Sequence, residues 1–356
     1  MTASSAVFSL VRTRSWGVVV GLLTTACYAP ADRELIREMR YTARIPLWST
    51  SADSAYSSAD ISSALVIDST IIILESSAAS ISGVAMGSWK PLWQTGRRGA
   101  GPGEFQMPRT LIAFGDSTFG VLDSFAAQVL LFGSNGKYER SIGGQLYERE
   151  VDDVCNLGAG RLIASRFPRS ELVRAESSGF VSRQAGVRWP EPKLDSAIQL
   201  KQARFARQRT TGHVCLLYTV RGNYFAEVDA ETLRLGDAFT YAEPIRVPEL
   251  TREKGVVSIK NDMISGAYAV VTDTLLYVLY GGASRAAQKQ VDAYSRANYQ
   301  YQWSIQLPRT ASQFDVVGDR IVVLEVGEND VRQVAVYLLA SPPSARREST
   351  TNGERR

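Results

Sequence analysis

Short apolar runs alternate with tight polar turns along this chain, and the 3.6-residue apolar period of an amphipathic helix appears only in the short "ADRELIREM" before Arg40. The runs pair off. "ALVIDSTIIILES", "LIAFGDSTFGVLDS", "DVCNLGAGRLIAS", "RQRTTGHVCLLYT", "AYAVVTDTLLYVLYG" and "FDVVGDRIVVLEVG" each read as a strand, a turn rich in Asp, Gly, Ser and Thr, and a second strand. Anchored on the first residue of each second strand (Ile71, Phe119, Leu162, Val214, Leu275 and Ile321), the intervals are 48, 43, 52, 61 and 46 residues. Spacing of that order marks a repeat architecture.

A third strand and another turn follow most anchors, as in "QVLLFGSNGKYERSIG", where Asn135-Gly136 signals a hairpin with positive φ at both central positions. Four strands in each of six units predict an all-β fold, a six-bladed β-propeller over residues 38–341. The last unit runs out of chain after three strands. "MRYTARIPLWS", Met39 to Ser49, is therefore expected to supply the fourth and close the ring, which also covers edges that an open blade would expose.

The ends of the chain change the picture of charge and address. Residues 1–27 carry Arg12 and Arg14, no acidic residue, and the apolar run "WGVVVGLLTTA", too short to span a bilayer, so they read as an export signal. Leu23-Thr24-Thr25-Ala26-Cys27 resembles the lipobox of bacterial lipoproteins, which implies lipidation at Cys27; a cut after Ala29-Pro30-Ala31 is the alternative. Residues 342–356 are polar and unpatterned and are expected to form a disordered tail. The net charge of +4 falls by two without Arg12 and Arg14, and by two more without the tail from Ser344, with its four arginines and two glutamates. The remaining body is near neutral, which argues against nucleic acid as a partner.

Within the body the chemistry is sparse. His213 is the lone histidine, which excludes a multi-histidine zinc site and leaves a Ser-His-Asp triad resting on one turn residue. Cys155 and Cys215 sit in apolar runs 60 residues apart, compatible with buried thiols or with a disulfide.

The stretch "GRRGAGPGEFQMPRTL", Gly96 to Leu111, leads into a strand and lacks Gly-Lys-Ser/Thr, so it is no phosphate loop. Gly101, Gly103, Phe105, Pro108, Asp116 and the later "VLLFGSNGKY" resemble the blade connector of NHL-repeat propellers over residues 93–142. With the export signal, the chain is similar to the extracytoplasmic six-bladed propeller lipoproteins of bacteria. The resemblance implies structural roles: glycines for a tight crossing, Phe105 as a plug between blades, Pro108 setting the start of the strand.

Pro108-Arg109-Thr110 recurs as Pro308-Arg309-Thr310, which would place Arg109 and Arg309 on one rim facing a carboxylate or phosphate. Arg97, Arg98 and Trp189 complete the expected ligand-binding set. Two long intervals hold insertions, Gly186 to Arg209 and Tyr241 to Asp262. The first carries Arg188, Lys193, Lys201, Arg204, Arg207 and Arg209 around Trp189 and Phe205, and is expected to be a solvated loop.

These features point to a monomeric, exported, non-enzymatic binding or scaffold propeller without a cofactor, whose rim or channel mouth contacts an envelope protein or a small anionic ligand. Membrane contact would come only through a lipid on Cys27. The alternative is a divalent-metal hydrolase resembling gluconolactonase-like propellers, with calcium or another divalent ion held by members of Glu75, Asp123, Asp152, Asp153, Asn223, Asp262 and Glu325.

Overall fold

Six small antiparallel sheets, each built mainly from a consecutive stretch of chain, are arranged as a ring. The structure, a computed structural model, describes the strands Met39–Tyr41, Trp48–Ser49 and Ser57–Ser58 and residues 60–143. It also describes residues 151–339 apart from 167–170, 177–178, 185–186, 188, 190–202, 210–213, 243–248, 254–255, 261–263, 283–287 and 328–329.

The inner strands are Ile61–Ile67, Pro108–Ala113, Val151–Gly158, Ala203–Phe205, Ile264–Val271 and Ala311–Val317, in blades 1 to 6. The second strands begin at Thr70, Thr118, Arg161, Cys215, Leu275 and Arg320, each within one residue of the expected anchor. The long fourth interval holds an extra hairpin, Glu249–Glu253 with Val256–Lys260.

Period-two alternation explains why such strands make a ring. Leu65 and Ile67 pack with Leu111, Phe119 and Phe132 of blade 2, whereas their neighbours Ala64 and Val66 pack with Val322, Leu324 and Val336 of blade 6. Every blade is buried on both faces, and six apolar clusters join blades 1–2, 2–3, 3–4, 4–5, 5–6 and 6–1 in turn. Near-continuous apolar runs such as Ile71–Leu74 follow from that two-sided burial.

Closure uses the early segment as expected, but in two pieces. Trp48–Ser49 pairs with Val336 and Ala335 on the third strand of blade 6, and Ser57–Ser58 continues along the same edge at Gln333 and Arg332. Met39–Tyr41 instead adds to the outer strand of blade 5 at Ser304–Gln306, in parallel.

The connector Gly96 to Leu111 behaves as a clasp. Phe105 is fully buried between blades 1 and 2, its N–H donates to Arg97 O, and Gly99 N–H donates to Phe105 O. Gly96 has φ +89, and a Cβ there would lie 2.6 Å from the Phe105 ring, so the glycine is required twice over. The Asn135-Gly136 hairpin departs from expectation. Its loop spans four residues between Gly133 and Tyr138, and positive φ occurs at Gly136 alone. Trp93 of blade 1 fixes the glycine: a Cβ on Gly136 would lie 2.5 Å from its ring, and its indole N–H donates to Ser134 O at 3.0 Å.

Candidate functional site

Inner strands begin with a shared irregularity that builds the channel mouth. Register slips by one residue between Ile61 and Ser63, Pro108 and Thr110, Val151 and Asp153, Gly266 and Tyr268, and Ala311 and Gln313. Such a bulge turns the following side chain to a new direction, and bulges recur beside binding sites. Blade 4 reaches the equivalent place without a bulge, with Arg204 opposite Tyr218. One layer of the ring therefore holds Ser63, Thr110, Asp153, Arg204, Tyr268 and Gln313, one residue per blade.

The last five of these line a cavity of about 260 Å³, together with Arg109, Asp152, Asn156, Phe205, Arg207, Gln208 and Tyr218. Ser63 joins from blade 1: its hydroxyl accepts Leu111 N–H at 3.2 Å and an Arg207 N–H at 3.2 Å. Arg109 and Asp152 are the extra residues of adjacent bulges, which sets them side by side as a 3.2 Å ion pair.

The segment carrying Arg204, Arg207 and Arg209 is not the solvated loop expected from composition. Ala203–Phe205 is the inner strand of blade 4, and Arg207–Gln208 crosses to pair in parallel with Val270–Val271 of blade 5. Arg207 is only 7% exposed; its guanidinium donates to Ala64 O at 2.6 Å and lies 5.2 Å from the Tyr268 ring centre. Arg209 pairs with Asp315 of blade 6. Basic residues near Pro and Lys look like a surface loop, and nothing local reveals that the partners of Arg207 and Arg209 lie about 100 positions away or more, in blades 1, 2 and 6.

Three buried side-chain atoms of residues that line the cavity have no hydrogen-bond partner among the described residues: Arg207 Nε, Gln208 Nε2 and Gln313 Oε1. Buried polar atoms are seldom left so. Asp153 accepts N–H donors from Phe205 and Val154 at 2.9 Å each, yet burial pushes its carboxyl up to about 6, against the lowering influence of Arg204 and those N–H groups. Burial likewise raises the Tyr218 and Tyr268 phenols above their usual range, so both stay neutral donors.

The other expected site residues lie elsewhere. Pro108 pairs with Asp123 and Ala311 with Glu325, so Ala311, not Pro308, is the counterpart of Pro108. The repeated Pro-Arg-Thr is out of register by three residues. Arg309 is consequently in the connector, 60% exposed and 3.8 Å from Glu325, and the structure does not bring it to Arg109. Arg97 pairs with Glu104, and Arg98 donates to Ser77 O. Trp189 is buried between blades 3 and 4 and stacks on Tyr224; it is a core residue.

Glu75, Asp123 and Glu325 share one position, opposite the first residue of their inner strands. They stand at or next to the ends of second strands, away from the axis. Asp123 caps Gln106 N–H and Met107 N–H, Glu75 accepts from Ser80, and Glu325 accepts from Gln333 and Tyr337. Asn223 holds Tyr241 N–H through its carbonyl. Among the described residues no three histidine, cysteine or carboxylate side chains gather as a metal cluster. Cys27, His213 and Asp262 lie outside the described residues. Cys155 and Cys215 form a disulfide that ties the inner strand of blade 3, where Cys155 lines the cavity, to the second strand of blade 4.

The bladed ring with a polar cavity at its axis defines a six-bladed β-propeller. Comparison with protein-family models finds no match, and comparison with curated proteins finds none either. Among solved structures, the chain is similar to a Bacteroides fragilis protein whose export is itself inferred, at 11% identity, 85% coverage of this chain, 99% of that one, and a TM-score of 0.50. U3-55K matches at 12% identity, 82% and 98% coverage and a TM-score of 0.48. The Neurospora crassa Pan2 WD40 domain matches at 10% identity, 84% and 96% coverage and a TM-score of 0.49. At such identities the likeness concerns the fold alone.

Proposed function

We propose that this protein is an extracytoplasmic binding propeller that holds a ligand at the mouth of its central channel. The observation that carries this reading is the cavity lining, whose residues Arg207, Gln208 and Gln313 keep the buried atoms Nε, Nε2 and Oε1 without a partner among the described residues. A scaffold that used only its outer loops would have no need of such groups, because an unpaired buried polar atom costs about 1–3 kcal/mol. Export is supported by the character of residues 1–27, whether they are cut at a lipidated Cys27 or after Ala31, and by the Cys155–Cys215 disulfide, since such bonds persist in oxidising compartments. The NHL-like connector and the buried Phe105 fit the same class of exported propellers.

A thermal-shift screen of polar small molecules tests the site, with Thr110→Trp filling the cavity. Stabilisers that lose their effect in the variant support channel-mouth binding. Stabilisers that act equally on both proteins would place the ligand elsewhere and sink the reading. An alkaline phosphatase fusion to residues 1–31 tests export, with an inactive reporter as the contrary result.

A further inference from the structure

We infer that the ligand of this cavity is a small hydroxylated carboxylate carrying one net negative charge, with Arg207 as its anchor; the inference rests on the channel-mouth reading above. Three arginines and two aspartates line the cavity. Asp152 is balanced by Arg109 at 3.2 Å, and Asp153 feels the charge of Arg204 and accepts two backbone N–H groups. Arg207 is different. It is 7% exposed and bonds to Ala64 O, Leu111 O and Ser63 Oγ, and no carboxylate among the described residues lies within ion-pair distance of it.

A buried cation held only by neutral oxygens is costly unless a negative charge is brought to it. Its Nε–H and the Gln208 amide are buried donors without a partner among the described residues, which suits a carboxylate drawn in against them. Gln313 Oε1 is a free acceptor and needs a donor from the ligand. Because three arginines face two aspartates in the lining, an ammonium would add a further positive charge beside Arg207, and that donor is therefore a neutral hydroxyl. A zwitterionic amino acid would leave Arg207 facing no net charge.

Isothermal titration with matched probes tests this. Glucuronate against glucose isolates the carboxylate, and lactate against propionate and alanine isolates the hydroxyl. Glucuronate is expected to bind and raise the melting temperature, glucose to bind roughly 10- to 100-fold more weakly, the worth of charge-assisted hydrogen bonding. Lactate should exceed both propionate and alanine. Arg207→Lys keeps the charge but loses the fork and should weaken glucuronate about 10-fold. Should Arg207→Lys fail to fold, Gln313→Leu gives the second reading, erasing the preference of lactate over propionate.

Equal binding of glucose and glucuronate, abolished by Thr110→Trp, would overturn the anion assignment and leave channel-mouth binding standing. Preference for alanine over lactate would overturn the hydroxyl assignment. Absence of binding by every probe to folded wild-type protein would overturn the ligand class, while the wider screen still decides the site.

Discussion

Arg209 and Asp315 meet at 3.0 Å although they stand in different blades and 106 positions apart, and Asp315 also accepts Val66 N–H from a third blade. Asp315 is 1% exposed and the Arg209 side chain 16%. One carboxylate thus couples blades 1, 5 and 6 at the axis. Removing one partner of a buried pair leaves the other charge uncompensated, so Asp315→Ala is expected to cost about 3–5 kcal/mol in urea-induced unfolding. Loss below about 1 kcal/mol would show that water compensates Arg209, and that the pair does not hold the ring.

The disulfide gives a second stability prediction. Cys155 and Cys215 close a loop of 60 positions, and both are almost fully buried. By chain entropy such a cross-link contributes about 4 kcal/mol relative to an open unfolded chain. Denatured, unreduced protein lacking residues 1–31 should show no thiol reactive to Ellman's reagent. Adding reductant during unfolding should lower the urea midpoint, whereas native protein in reductant should be attacked slowly because the sulfurs are covered. Two free thiols in the denatured chain would remove the disulfide from the account.

Much of the ring was legible because its signal is local and repeated. Turns such as Asp68-Ser69 and Gly318-Asp319 punctuate strands that must be apolar on both faces, and all six anchors lie within one residue of a second-strand start. The site was legible only in fragments. Arg109 lies in an inner strand and lines the cavity, whereas its apparent twin Arg309 stays in the connector, because the connector to blade 6 meets its strand three residues later. Arg204, Arg207 and Gln313 carry no motif. They converge because five bulges and one crossing strand aim them at the axis, and register is a property of pairing that spacing along the chain does not reveal. Trp189, in a Pro-rich basic stretch, looked exposed yet fills the gap between two blades.

Ring closure predicts how the protein responds to shortening from its N-terminal side. Trp48–Ser49 and Ser57–Ser58 occupy the free edge of the third strand of blade 6. Deleting residues 1–37 leaves that pairing intact and should leave a monomer on size-exclusion chromatography with light scattering. Deleting residues 1–58 uncovers backbone donors and acceptors from Arg332 to Val336, a template for edge-to-edge association. The longer deletion should therefore self-associate or melt lower, and a stable monomer would mean that closure relies on the apolar contact between blades 6 and 1 alone.

Asp153 predicts a pH dependence whose sign follows from its raised pKa. Burial holds the carboxyl near 6 in the folded chain against an ordinary value of 3.8, so the folded protein binds a proton that the unfolded chain releases over this interval. Its contribution to stability is therefore complete below about pH 4 and is lost as pH rises through 6. Arg204 and the cavity opening screen the group, and the swing is expected to be about 2 kcal/mol, less than the shift alone would give. Asp153→Asn retains one acceptor for the Phe205 and Val154 N–H groups and cannot titrate. Relative to wild type it should gain stability between pH 4 and pH 8, measured by urea midpoints at each pH. The same proton adjusts the charge beside Arg207, Arg204, Arg109 and Asp152, so glucuronate, ionised throughout, should bind more tightly at pH 5 than at pH 8 in wild type. In Asp153→Asn that difference should disappear; a wild-type-like pH dependence in the variant would assign the proton to another group.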